Sequence, residues 1–375
     1  MHLCDLTMFY APHSGGVRRY LDAKHDWLAR HTLVRHTLLT PGPYRGLLAP
    51  HQHTLCAPPL PFSDGYRFPL RTRPWVKYLL ELSPDLIEAG DPYRLGWAAL
   101  EAGQRLGIPT IGFYHSDLPR LIAARFGNWT QAVTRRYVRH LYRRYDQVLT
   151  PSQVMRDQLL EFGVDNVQVQ PLGVDAERFH PRRHSEHLRR ELGLPRKSRL
   201  LIFAGRNARE KHIDRLVEAF RLLGPDYHLL LVGPEMPCPS VSNISAFARY
   251  VGAAELSRLL AGSDALVHAG DTETFGLIVL EAMASGIPVV GVNAGAVPEL
   301  VTPETGVLSP SCAARDLADA VIALFEQDVA AMGHAARQAV EAHWTWDRTL
   351  ARLFDIYLDL LGQPPAGTGT ARAAG

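Results

Sequence analysis

Short apolar runs alternate with amphipathic stretches along almost the whole chain, and this alternation restricts the fold more than any other feature. The runs at 34–39, 85–89, 108–114, 147–150, 166–170, 200–205, 228–232, 265–268 and 287–292 have the length and composition of strands. Helical patterns lie between them. In 212–223, Ile213, Leu216, Val217, Phe220 and Leu223 recur at helical spacing on one face. Strands that alternate with helices form parallel sheets covered on both faces, an α/β class. The pattern pauses at 171–198, which is rich in proline and arginine and lacks a strand; it reads as a linker. Two doubly wound, Rossmann-like domains are therefore expected, 1–172 and 173–343. An amphipathic helix follows at 346–361, and the tail 363–375 has the composition of a disordered segment.

Composition excludes several classes of function. The net charge is +2 over 375 residues, so the chain is no polyelectrolyte and no nucleic-acid partner is expected; anion binding must come from local clusters. The four cysteines are scattered with no C-x-x-C pair, which argues against zinc and against a disulfide framework and suits a cytoplasmic location. The first residues lack the pattern of a signal peptide, and no apolar run reaches the length of a membrane span.

Four short stretches carry potential chemistry. In FAGRNAREKH (203–212), Arg206 and Lys211 bracket a loop at the carboxyl end of a strand, where ligands of such sheets bind. They can clamp a diphosphate, Arg by its planar fork and Lys as a point charge, or simply be solvated cations. In SGGV (14–17), Gly15 and Gly16 open a helix and allow close backbone approach to an anion; an ordinary turn gives the same pattern. In GFYHSD (112–117), His115 ends an apolar strand and can bond a sugar hydroxyl, shuttle a proton or serve packing alone. In HAGDTETFGLIVLEAMASGIPVVG (268–291), Glu273 and Glu281 are separated by seven residues in an otherwise apolar setting. Glu273 falls in a loop, and the amides of Phe275, Gly276 and Leu277, after Thr274, open the next helix toward an anion. Glu281 can accept from the vicinal hydroxyls of a ribose. The alternative is a capping Glu273 and a solvent-facing Glu281.

Together with GRNAREK (205–211), GVD (173–175), EAMASGIPVVG (281–291) and WTWDRTLARLF (344–354), these residues make nearly the whole chain, from about 10 to 360, resemble the retaining glycosyltransferase family four, of glycosyltransferase-B fold. The resemblance implies an active site in a cleft between two Rossmann-like domains, the second binding the nucleotide-diphosphate sugar and the first the acceptor, with the final helix, 344–362, returning to the first. It implies a donor diphosphate on Arg206, Lys211 and the amides after Thr274, with Glu273 on the sugar hydroxyls and Glu281 on the ribose. Gly15 and Gly16 would approach from the first domain, and His115 would sit near the transferred sugar. It further implies front-face transfer with retention, in which the leaving diphosphate helps deprotonate the acceptor. The absence of a D-x-D motif fits a reaction without a metal or other cofactor, protein cations standing in for a divalent ion. One departure stands out: His212 follows Lys211 where the family often has glycine, which should alter the helix start.

The donor is read as a GDP-mannose or UDP-glucose type, with a lean to GDP-mannose from ETFGLIVLEA. The acceptor is read as a glycan or lipid-linked molecule in cell-envelope polysaccharide or glycolipid synthesis. A nucleotide-sugar epimerase and a non-catalytic nucleotide-sugar-binding protein are the competing readings; a nicotinamide-dependent oxidoreductase is disfavoured by the lack of G-x-G-x-x-G after the first strand. Finally, 130–146 carries Arg135, Arg136, Arg139, His140, Arg143 and Arg144 opposite Val133, Tyr137, Val138, Leu141, Tyr142 and Tyr145. This amphipathic helix is either a docking face for an anionic membrane surface, giving peripheral association with the cytoplasmic membrane, or an ordinary surface helix.

Overall fold

The computed structural model describes residues 1–11, 15–61, 63, 65–195 and 197–362. The chain divides into two compact units, Met1–Pro171 together with the segment from Trp346, and Leu172–Thr345. No helix among the described residues is long and apolar enough to cross a membrane.

The first unit is built on β1 (His2–Leu6), β2 (Arg35–Gly42), β3 (Gly46–Ala49), β4 (Gln52–Cys56), β5 (Leu86–Ala89), β6 (Thr110–Phe113), β7 (Gln147–Thr150) and β8 (Val167–Val169). They form one sheet in the order β3-β4-β2-β1-β5-β6-β7-β8, parallel except for β3, which runs antiparallel on the edge. Strands β1, β5 and β6 are buried at every position, as expected where helices cover both faces. The sheet core includes Leu6, Leu39, Ile87, Tyr114 and Val148.

The helix Trp346–Leu360 packs into this unit through a buried polar cluster. Lys24 Nζ lies 2.7 Å from Asp5 Oδ1 and 3.1 Å from Glu88 Oε1. Tyr20 donates to Glu88 Oε1 at 2.8 Å and Tyr357 to Glu88 Oε2 at 2.5 Å. His36 Nε2 lies 2.6 Å from Asp5 Oδ2. Burial pushes Asp5 up, but the Lys24 charge and the His36 bond outweigh it and hold this carboxyl below its usual range. Burial pushes Glu88 up, and neighbouring Asp5 adds to that push against the pull of Lys24. Each ionised group here has a partner, the condition under which buried charge is tolerated.

The second unit contains β9 (Arg199–Ala204), β10 (Tyr227–Val232), β11 (Ile244–Phe247), β12 (Ala265–His268), β13 (Val289–Val292) and β14 (Gly306–Ser309). Their order is β11-β10-β9-β12-β13-β14, all parallel. Counted from β9 this is 3-2-1-4-5-6, the doubly wound dinucleotide-binding order, with its switch point between β9 and β12.

The segment 171–198 is not a linker. From Leu172 its described residues belong to the second unit, with short helices at Pro181–Arg183 and His187–Glu191. Arg189 bonds both oxygens of Asp264, at 2.7 and 2.6 Å, and Leu188 is buried. Arg337 donates to the carbonyls of Ala176, Phe179 and Ala284, at 3.1, 2.9 and 2.5 Å. Arginine forks do here what apolar periodicity does elsewhere, which is why the composition misleads. The sequence reading also passed over β3, β4, β11 and β14, whose half-exposed residues blur the apolar signal. The tail 363–375 lies outside the described residues.

Candidate active site

Two loops at the switch point of the second unit bring the cluster together. After β9, the loop turns through a short 3-10 segment, Arg209–Lys211, into the helix Ile213–Leu223. His212 is the hinge, with a left-handed φ of +49°. This conformation favours glycine, so the unusual histidine sits where a Cβ is least welcome. After β12, residues 269–276 lead into the helix Leu277–Ala284. Because β9 and β12 are neighbours, the two loops emerge side by side.

There Lys211 Nζ forms an ion pair with Glu273 Oε1. His268, the last residue of β12 and only 1% exposed, places Nε2 2.8 Å from the same oxygen. Burial pushes Glu273 up, yet the His268 bond and the Lys211 charge outweigh it and hold the carboxyl well below the usual range. The loop is braced from behind. Ala296 N–H donates to the Glu273 carbonyl at 2.9 Å. Gly295 has φ +59°, and a Cβ there would lie 2.7 Å from that carbonyl oxygen, so the close approach requires glycine.

The helix Leu277–Ala284 begins at Gly276, φ +98°, with no side-chain cap. Its first amides therefore lack intrahelical acceptors and point out of the helix end with its positive partial charge. Phe275 is buried, while Thr274 and Leu277 are half-buried. Glu281, one turn on, is 3% exposed, which removes the solvent-facing alternative; Glu273 caps nothing, which removes the other half of it.

The structure does not bring Arg206 into this cluster. Its side chain is 76% exposed and reaches toward Glu210 at 3.7 Å. Lys211 faces a carboxylate, which the sequence spacing did not reveal; an ammonium has three donors and can meet a second anion from the same place. His212 Nε2 lies 3.2 Å from Asp271 Oδ1, and these two with Cys312 bring ligand atoms within 4.8 Å of one another, a set able to hold a divalent ion. Residues so far apart in sequence gave no spacing motif.

In the first unit, Gly15 is the exposed N-cap of the helix Gly16–His31, and Ser14 lies outside the described residues. A Cβ on Gly15 would meet nothing within 4 Å, so packing within the unit does not demand glycine. His115 follows β6, stacked on Phe113 at 3.9 Å between centroids and beside Tyr20. Burial and, secondarily, the Lys24 charge lower its pKa to about 3. A histidine neutral across the physiological range can donate or accept a hydrogen bond but is poorly matched to proton shuttling near neutrality.

His268, whose ring meets Glu273, is a member of this cluster that sequence reasoning missed. The available signal was a polar side chain inside a fully buried strand, which must find a partner.

The helix Gln131–Tyr142 buries Val138, Leu141 and Tyr142, as its pattern predicts. Val133, expected on the apolar face, is instead 65% exposed and joins the basic face, because it lies three and seven residues before Arg136 and His140 and so shares their side of the helix. Exposed Leu121, Phe126 and Trp129 precede it on the adjoining elements.

Comparison with known proteins agrees with this geometry. Residues 14–178 match the family model described as Glycosyltransferase Family 4, and 184–341 match Glycosyl transferases group 1. A GDP-mannose-dependent alpha-mannosyltransferase of Mycobacterium tuberculosis is 34% identical over 63% of this chain and 62% of its own length, so this chain spans somewhat less than two thirds of that relative. A protein of the same description from Mycolicibacterium smegmatis is 31% identical over 77% of each chain. A GDP-mannose-dependent alpha-(1-6)-phosphatidylinositol dimannoside mannosyltransferase of M. tuberculosis is 30% identical over 94% of this chain and 95% of its own. Among solved structures, sucrose-phosphate synthase from Thermosynechococcus elongatus superposes with a TM-score of 0.81 at 21% identity, covering 96% of this chain and all of that one. Anabaena HepE in complex with UDP gives 0.76 at 19% identity, over 96% and 100%. The two doubly wound units are those of the glycosyltransferase-B fold, and the chain belongs to the family-four glycosyltransferases, enzymes that transfer a hexose from a nucleotide sugar.

Proposed function

We propose that this enzyme transfers mannose from GDP-mannose, with retention, to a glycan or lipid-linked acceptor of the cell envelope. The donor assignment draws support from relatives named as GDP-mannose-dependent, and the acceptor from one named for a phosphatidylinositol mannoside. The observation that carries the reading is the meeting of Lys211 and Glu273 beside the uncapped start of the helix Leu277–Ala284. In this reading the amides of Phe275, Gly276 and Leu277 and the ammonium of Lys211 receive the diphosphate, with Arg206 swinging in from solvent. Glu273 accepts from hydroxyls of the hexose, and Glu281 from the ribose. As the glycosidic bond breaks, negative charge grows on the diphosphate, and donors already in place stabilise it without reorganisation. The diphosphate then takes the proton of the acceptor hydroxyl. Protein cations do the work a divalent ion does elsewhere, so the reaction proceeds without a metal.

A thermal-shift panel of GDP-mannose, UDP-glucose and the free nucleotides tests this directly. Ligand at 100 times its Kd stabilises by about 2.7 kcal/mol, and GDP-mannose should give the largest shift. Stabilisation by UDP-glucose alone would overturn the donor; no stabilisation by any of them would overturn the reading.

For the acceptor side we propose peripheral docking on an anionic membrane surface. Arg136, Arg139 and His140 are exposed on the helix Gln131–Tyr142 and Arg143 at its C-cap, with apolar Phe126, Trp129 and Val133 exposed nearby. Cationic and aromatic side chains exposed together suit an interface where headgroup charge meets acyl chain. Two other arginines are held on the protein's own aromatics, Arg135 over Phe162 and Arg144 over Trp97, so they are weaker contributors to this face.

A further inference from the structure

We infer that His268 is a positioning residue for sugar transfer: its ring fixes Glu273 in one rotamer and leaves the second carboxylate oxygen to the donor hexose. The inference rests on the reading of Glu273 as the sugar contact. Both bonds to this carboxylate, from Lys211 and from His268 Nε2, fall on Oε1. Among the described residues Oε2 takes no hydrogen bond. A carboxylate accepts only, so Nε2 carries the hydrogen and donates it. The two partners come from different supports. Lys211 stands on a loop, at the end of a flexible stem, and must also serve the anion. His268 is locked in a central strand, buried, with its ring inclined toward Phe203 at 6.2 Å between centroids. Gly270 closes the turn above it, where a Cβ would lie 2.9 Å from the ring. A rigid donor holds Oε1 while Lys211 is free to follow the diphosphate, and rigid support of this kind separates a preorganised site from a loose one.

The test compares His268→Ala, His268→Gln and His268→Asn in the full chain. It follows nucleotide release from whichever of GDP-mannose and UDP-glucose stabilises the wild type more. Gln can present an N–H where Nε2 stands; Asn reaches only the position of Nδ1. Ala and Asn should lower kcat/KM by roughly ten- to a hundredfold, mainly in kcat with KM little changed. Gln should restore most of the rate. Equal behaviour of Gln and Asn, or a loss in Ala confined to KM, would overturn the inference. Glu273→Ala separates this from failure of the underlying reading: an active Glu273→Ala enzyme sinks the reading itself. An inactive Glu273→Ala beside a wild-type-like His268→Ala sinks only the role of His268. Should Ala fail to fold, the contrast between Gln and Asn still decides.

Discussion

At the scale of single residues, the structure separates charges that hold the protein together from charges available to a substrate. Lys24 is buried between Asp5 and Glu88 and belongs to the first kind. Replacing it with methionine keeps the volume and strands two carboxylates, so Lys24→Met should cost about 3–5 kcal/mol. Urea unfolding measures this; a loss below about 1 kcal/mol would mean the network is not coupled as the distances imply. His115 gives a second prediction. With a pKa near 3 it stays neutral through the working range, so His115→Gln should leave the positions of the pH-profile limbs unchanged even where it lowers the rate. A limb near the ordinary histidine value that vanishes in the variant would contradict this.

At the scale of elements, the exposed face of the helix Gln131–Tyr142 makes a sharper prediction than its composition. Arg136→Glu with Arg143→Glu should abolish sedimentation with anionic vesicles at low salt and leave nucleotide-sugar binding untouched. Neutral vesicles should bind neither form, since the attraction is chiefly electrostatic and is screened within about a Debye length. Binding that survives both charge reversals would reassign the helix as an ordinary surface element. How far such elements were legible in the sequence depended on what holds each one. Strands β9, β10 and β12 are buried on both faces and announced themselves as continuous apolar runs. The segment 171–198 was misread because long-range arginine bonds, invisible to local periodicity, fasten it. The loops carrying Lys211 and Glu273 were placed by their strands, but their pairing depended on β9 lying beside β12, which follows from strand order and not from spacing. His268 stayed hidden for the same reason: its partner lies on the following loop, and only the folded turn brings it within reach.

At the scale of the whole molecule, titration of buried groups sets the response to acid. The folded state lowers His2 and His25 to about 4 and His115 to about 3, each from 6.5. Between those values and 6.5 the unfolded chain binds more protons, so stability rises with pH across that window and is lost as pH falls. Glu273, depressed by its partners, adds a loss of the same sign at lower pH. Asp91, which burial raises from 3.8 to about 6, acts oppositely between those values, and Glu88, also raised by burial, acts with it. The three histidines outnumber these two carboxyls, and denaturation midpoints should therefore be higher at about pH 7 than at about pH 5; the reverse order would show that the raised carboxyls dominate.

The proposed function stands on a nucleotide-diphosphate sugar held in the second unit by Lys211 and the amides of Phe275–Leu277, with Glu273 on the hexose and Glu281 on the ribose. Crystallographic difference density from protein soaked with GDP-mannose tests it most directly. Diphosphate density is expected at the start of the helix Leu277–Ala284, with a hexose hydroxyl against the second oxygen of Glu273. A donor bound away from these loops, with the Lys211–Glu273 pair undisturbed, would contradict it.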